Sequence, residues 1–257
     1  MTPIAPSSDV EIRFEGVSKW FGGKVGGAGA FRAVDGLSLD IVQGEMVALL
    51  GKTGCGKSTT FNLIAGLLEP SAGTVRVQRL DPFRNFNDLR GKIAVVFQND
   101  RLLPWRTAIG NVELGLEMLD RPAAERRDVA QSWLSRLGLA GHEHDYPHAL
   151  SGGMRQRVSI ARAFATDASI LLCDEPFSSL DEITGQRLRE EFASLVRENR
   201  KTAVFITHSI NEALQIGHRV IVMTRPARVA YDVRLGADGK AGDGIAIRAR
   251  IQEVLAA

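Results

Sequence analysis

One nine-residue stretch, "GKTGCGKST" (Gly51 to Thr59), constrains the fold more than any other feature of this chain. It fits G-x-x-x-x-G-K-[ST] and stands between the apolar run "MVALL" (46–50) and a helical stretch, "KSTTFNLIAGLL" (57–68). That context dictates a strand, a glycine-rich turn and a helix in immediate succession. The glycines Gly51, Gly54 and Gly56 let the backbone, with Thr53 between them, wrap a phosphate and aim its amides inward. Lys57 is placed to reach β- and γ-phosphates, and the hydroxyl of Ser58, followed by Thr59, to ligate Mg²⁺. Cys55 inside the loop has two readings: a small residue filling a tight turn, or a thiol whose pKa the surrounding amides lower.

The rest of the chain repeats the strand-then-helix rhythm. "VEIRFEGV" alternates as a strand, and "GTVRVQ", "KIAVVFQ", "SILLCD", "TAVFITH" and "RVIVMT" are further short apolar runs. "GQRLREEFASLVREN" reads as a helix, and so does "AIRARIQEVL" in the tail. Between Asn99 and Ala165 no convincing strand occurs. There "RRDVAQSWLSRLGL" puts Val129, Trp133, Leu134 and Leu137 on one helical face. Strands alternating with helices predict an α/β fold with a mainly parallel core and an inserted helical segment. Residues 1–10 read as loose, and "GGKVGGAGA" (22–30) as a flexible glycine-rich loop.

Composition narrows the function classes. With 32 basic against 30 acidic residues there is no electrostatic case for nucleic acid. Two cysteines far apart imply no disulfide framework and fit a reducing compartment. No apolar run approaches the ~18 residues needed to cross a bilayer, and no secretory leader is expected at the N-terminus.

A second polar group accompanies the phosphate loop. "SILLCDEP" ends an apolar strand with Asp174, placed to hold Mg²⁺, and Glu175, which would face the other way along a strand and polarise an attacking water. Two acids there are costly unless a metal or donors satisfy them. Gln98 and His208 end "KIAVVFQ" and "TAVFITH" in the same manner. Ligand sites in parallel α/β sheets lie beyond the carboxyl ends of strands, so the placement is coherent. Finally, "LSGGMRQRVSIARAFA" (150–165) begins a helix with Ser151, Gly152, Gly153 and Met154, leaving bare amides suited to an anion.

In this order the motifs resemble those of ATP-binding cassette (ABC) ATPases, over residues 10–225. The resemblance implies a P-loop NTPase (RecA-like) core with an N-terminal antiparallel β portion and an inserted α-helical subdomain. It implies one nucleotide-binding domain over 1–257: a core at about 10–98 and 166–225, a helical subdomain at about 99–165 and a short tail at 226–257. Gln98 matches the Q-loop, "LSGGM" the signature, "ILLCDE" the Walker B segment, "SSLD" (178–181) with Asp181 the D-loop, and His208 the switch histidine. The cofactors implied are ATP and Mg²⁺, with Ser58, Gln98 and Asp174 on the metal. Phe21 aligns with the aromatic that stacks on adenine; the adjacent Trp20 and the later Phe31 are alternatives.

In this family two ATPase subunits meet head to tail, so the signature residues serve the partner's ATP. The implied partners are a second ATPase subunit, read as a copy of this chain, transmembrane permease subunits, and indirectly an extracytoplasmic solute-binding protein. The implied location is the cytoplasmic face of the inner membrane. "NDRLLPWRTAIGNVELGLE" (99–117) and "DEPFSSLD" resemble ATPases of nitrate, sulfonate and taurine importers. Import of a pyrimidine vitamin precursor is the alternative within the family. Arg101, Leu102, Leu103, Pro104 and Trp105 would receive the permease, or else pack under a loop. Ser209 departs from the acid that usually follows the histidine. A non-transport ABC ATPase would carry a second cassette or long coiled coils. A small P-loop kinase would not need "LSGGM".

Overall fold

Alternating apolar residues open the structure as two long strands. The computed structural model describes residues 10–23, 29–178, 180–235 and 244–256. Its internal contacts divide the chain into two units. One holds the residues up to Leu89 and from Arg200 onward, the other Arg90–Asn199. In the first unit, β1 (Val10–Phe21) pairs antiparallel with β2 (Phe31–Val42). β2 buries Leu37, Leu39 and Ile41, the every-second-residue spacing of a sheet with one covered face, and β1 buries Ile12, Phe14 and, past a register shift, Val17. β3 (Met46–Gly51) is buried along its whole length. α1 (Lys57–Ile64) follows, and β4 (Ala72–Val77) completes the antiparallel sheet β2-β1-β4.

α1 is one turn shorter than its apolar sequence predicts. Gly66 takes φ +71°, and a Cβ there would lie 2.2 Å from the Pro82 carbonyl oxygen. The backbone must pass Pro82 at a distance only glycine permits, and that left-handed residue stops the helix. β2 matches none of the short apolar runs read as strands, yet with β1 and β4 it supplies the N-terminal antiparallel portion that the resemblance implies.

The second unit begins with β5 (Ile93–Val96), followed by α2 (Ala108–Met118), α3 (Ala123–Arg136) and α4 (Gly152–Ala165). β6 (Ile170–Asp174) then pairs parallel with β5, and α5 (Glu182–Glu198) closes the unit. Three helices thus lie between two adjacent strands, with no strand among the described residues between them, as the sequence predicts. Phe164 of α4 packs edge-on against Phe192 of α5 at 5.9 Å and at a tilt against Trp133 of α3 at 5.1 Å. Of the face expected on α3, Leu134 and the following Leu137 are fully buried. Truncating Phe164 to alanine would cost about 3–5 kcal/mol.

The chain returns to the first unit with β7 (Thr202–Thr207), α6 (Ile210–Ile216), β8 (Arg219–Thr224), β9 (Arg228–Arg234) and α7 (Gly244–Ala256). β3 lies between β7 and β8 and is parallel to both, whereas β9 runs antiparallel to β8. Arg219 clamps this edge: it holds Asp232 through Nε at 2.7 Å and Nη2 at 2.6 Å, and its Nη1 reaches Glu45 at 3.4 Å. The fold is therefore α/β, with parallel strands, an N-terminal antiparallel sheet and an inserted helical segment. No helix of the described residues is long and apolar enough to cross a membrane.

Candidate nucleotide site

Gly51 ends β3, and the turn from Lys52 to Gly56 leads into α1. Gly56 caps that helix at φ +107°; a Cβ there would meet the Ala33 carbonyl oxygen at 2.5 Å and Ala227 Cβ at 2.7 Å. Gly51 is equally confined, with Cys55 Sγ and the Met223 carbonyl oxygen both 2.7 Å from an added Cβ. Two glycines of the motif are thus required by close backbone packing, and Gly54, at φ +76° in open space, by its dihedral alone. Lys57 is buried and donates from Nζ to the carbonyls of Gly51 at 2.6 Å and Lys52 at 3.1 Å. Thr53 and Ser58 are exposed, and Thr59 is half-buried. Cys55 is 2 % exposed and its sulfur lies against Gly51, so it fills the turn.

A cavity of about 280 Å³ opens over this loop, lined by Gly54, Gly56, Lys57, Ser58 and Thr59 together with Phe31, Ala33 and Arg225. Phe21 and Phe31 face each other across the β1–β2 register and are similarly exposed, at 40 % and 42 %. Only Phe31 lines the cavity. Trp20 has one ring face covered by the Arg32 guanidinium, 4.0 Å from its centroid. The glycine-rich loop joining these strands lies partly outside the described residues, at 24–28.

In the first unit three adjacent parallel strands end at the same level. Leu50 pairs with Thr207 and Gly51 with Met223, so the phosphate loop, His208 and Arg225 all follow directly from strand ends. His208 is exposed and lies one residue beyond β7. Its flanks are fixed: the Thr207 hydroxyl donates to Glu212 Oε2 at 2.5 Å, the Ser209 N–H donates to Thr207 Oγ1 at 2.9 Å, and Ser209 caps α6 by accepting from Glu212 N at 3.3 Å. The departure at Ser209 therefore preserves a helix cap.

In the second unit the same rule operates on β5 and β6. Val96 pairs with Cys173, so Gln98 and Glu175 each stand two residues beyond the pair. Gln98 Nε2 donates to Glu175 Oε2 at 3.3 Å. Asp174 is the last residue of β6 and half-buried. Glu175 is not on the strand. It adopts φ 45°, a left-handed conformation that non-glycine residues seldom take, and strand alternation does not set its direction. Its carbonyl accepts from the Ser178 N–H at 3.2 Å and the Ser178 hydroxyl at 3.1 Å. Burial, and then the charge of Asp174, pushes the Cys173 thiol far above its ordinary range.

Ser151 is the N-cap of α4, its Oγ accepting from Met154 N at 3.3 Å. Ser151 and Gly152 are exposed; Gly153 and Met154 are half-buried. Two arginines of α4 tie it to the segment after Gln98. Arg155 Nε donates to Asp100 Oδ2 at 3.0 Å, and Arg162 donates to the carbonyls of Asp100 at 2.7 Å and Arg101 at 2.9 Å. The sequence reading did not single out these arginines. Asn111, fully buried, pins residues 103–107 by accepting from Leu103 N at 2.7 Å and donating to three carbonyls. Leu102 is buried, whereas Trp105 is 70 % exposed. Asp181 caps α5 by accepting from Thr184 N at 3.0 Å, and that hydrogen bond holds its carboxyl below the usual carboxylate range. Ser179 of the predicted D-loop lies outside the described residues.

The donors proposed for Mg²⁺ are a hydroxyl, a carboxylate and an amide oxygen, the hard oxygen set that this ion takes. Among the described residues no cluster of three His, Cys, Asp or Glu side chains would hold a metal by itself.

Comparison with known proteins agrees with this architecture. The family model described as ABC transporter matches residues 34–178. The taurine import ATP-binding protein TauB of Yersinia pestis is 41% identical over 218 residues, covering 84% of each chain. The nitrate import ATP-binding protein NrtC of Synechococcus elongatus is 42% identical over 200 residues, covering 77% of this chain and 30% of that protein. The dimeric ATP-binding cassette MJ0796, in a post-hydrolysis state bound to ADP and Pi, superposes with a TM-score of 0.77 at 34% identity, covering 88% of this chain and 99% of that one. With the phosphate loop, strand-end residues and capped glycine helix in place, this chain belongs to the ABC transporter family.

Proposed function

We propose that this chain is the ATP-hydrolysing motor subunit of an importer for taurine, another sulfonate or nitrate. The observation that carries the reading is the placement of polar residues at the carboxyl ends of β3, β5, β6 and β7, in a chain similar to import ATP-binding proteins for taurine and nitrate. Both units act as one nucleotide-binding domain. The amides of the phosphate loop and Lys57 bind the ATP phosphates. Ser58, Gln98 and Asp174 hold Mg²⁺, which when bound neutralises phosphate charge. Glu175 orients the attacking water, and His208 contacts the γ-phosphate. Positioning and charge stabilisation, rather than covalent chemistry, supply the rate.

Ser151, Gly152, Gly153 and Met154 serve the ATP of a second, identical subunit, with Asp181 in the adjoining loop. The bare amides at the start of α4 suit a γ-phosphate. Trp105 belongs to the surface that receives a transmembrane permease at the cytoplasmic face of the inner membrane, and a solute-binding protein acts on the other side. A rigid tie from α4 to residues 100–101 gives the nucleotide site a route to that surface. The test is growth of a host lacking the gene on taurine, alkanesulfonates or nitrate as sole sulfur or nitrogen source. A defect on one source, cured by the wild-type chain and not by Glu175→Gln, supports the reading. Normal growth on all of them refutes the cargo class.

A further inference from the structure

The cavity over the phosphate loop has a wall that no motif accounts for. Arg225 follows β8 and is exposed, and its guanidinium lies 5.1 Å from the centroid of the Phe31 ring. Both side chains line the cavity, together with Lys57, Ser58 and Thr59. The segment carrying Arg225 is stitched to β2. The Ala227 N–H donates to the Ala33 carbonyl at 2.8 Å, and the Ala227 carbonyl accepts from the Asp35 N–H at 3.2 Å. Gly56 of the phosphate loop abuts the same two residues, Ala33 and Ala227. Arg225, Phe31 and the phosphate loop are therefore held by one packed junction.

The charges around the junction are unequal. Asp35 pairs with Arg32 at 2.6 Å and with Arg228. Among the described residues Arg225 has no carboxylate partner, and its contact is the aromatic ring. A planar cation resting on a half-exposed ring is a stacking surface for a heteroaromatic base, sequence-tolerant and strengthened by the cation–π term. The phosphate loop lining the same cavity fits the anionic part of the same ligand.

We propose that Arg225 is a base-contacting residue of the nucleotide site, and that the base packs on the Phe31–Arg225 pair rather than on Phe21. This rests on the proposed binding of ATP at the phosphate loop. Titration calorimetry with ADP on the full chain tests it, with Lys57→Ala as the control for that reading and melting curves for each variant. Arg225→Ala and Phe31→Ala are each expected to weaken ADP about five-fold or more, with Phe21→Ala within about two-fold of the wild type. Arg225→Lys, which keeps the charge but not the plane, is expected to recover less than half of the loss. Wild-type affinity in Arg225→Ala, full rescue by lysine, or a loss in Phe21→Ala equal to that in Phe31→Ala overturns the inference. Undiminished binding in Lys57→Ala would instead remove the phosphate-loop reading itself.

Discussion

Gln98 and Glu175 touch across two parallel strand ends, Nε2 to Oε2 at 3.3 Å, although 77 residues separate them in the chain. The contact follows from register: Val96 pairs with Cys173, and each polar side chain stands two residues beyond that pair, past the strand end. Glu175 is additionally held at φ 45°, a strained setting that the fold maintains by accepting two hydrogen bonds from Ser178 at its carbonyl.

Glu175→Gln keeps the shape and the contact with Gln98 while removing the base. Phosphate release is expected to fall about a hundred-fold or more, with ADP affinity little changed. An ATP-bound dimer should then persist on gel filtration. Wild-type turnover would end the role proposed for Glu175.

Ser151 has two separable duties. Its Oγ caps α4, so Ser151→Ala should cost about 1 kcal/mol in urea unfolding. Ser151→Asp preserves the cap and hence the stability, but sets a negative charge where a partner's γ-phosphate is proposed to sit. ATP hydrolysis should drop at least about ten-fold in that variant. A stable Asp variant with full hydrolysis would argue against the trans role.

The glycines of the phosphate loop should respond differently to alanine. Gly54→Ala meets no atoms but must hold φ +76°, at a cost of about 1–2 kcal/mol. Gly56→Ala meets the Ala33 carbonyl at 2.5 Å and Ala227 Cβ at 2.7 Å as well, for roughly 2–4 kcal/mol and a larger loss of nucleotide affinity. Equal unfolding midpoints for the two variants would contradict the packing described.

The Asp181 carboxyl is held below its ordinary range, first by the Thr184 N–H. A depressed folded value means that its contribution is fully present above the unfolded value, about 3.9, and disappears as pH falls through the folded one. Asp181→Asn keeps a capping oxygen without the charge. The wild type should therefore be the more stable at pH 6, with the difference shrinking below about pH 4. A constant difference in urea midpoints down to pH 3 would exclude this linkage.

The sequence by itself determined the chemistry-bearing pieces and the order of most elements. "GKTGCGKST" between an apolar strand and a helix admits one local fold, and "SILLCDEP" announces its acids by ending a run too apolar to bury them. These signals are local, written in backbone dihedral demands and hydrophobic period. The tertiary structure decided what depends on distant neighbours. β2 is specified by its pairing with β1, and β9, exposed over most of its length, by hydrogen bonds to β8 rather than by its own pattern. The end of α1 was set by Pro82, sixteen residues beyond Gly66 by number. Phe21 and Phe31 look alike in composition and exposure, and only pairing and packing put Phe31 beside Arg225 on the cavity wall. No window of sequence contains that juxtaposition, because it is made by three segments that meet where Gly56, Ala33 and Ala227 pack together.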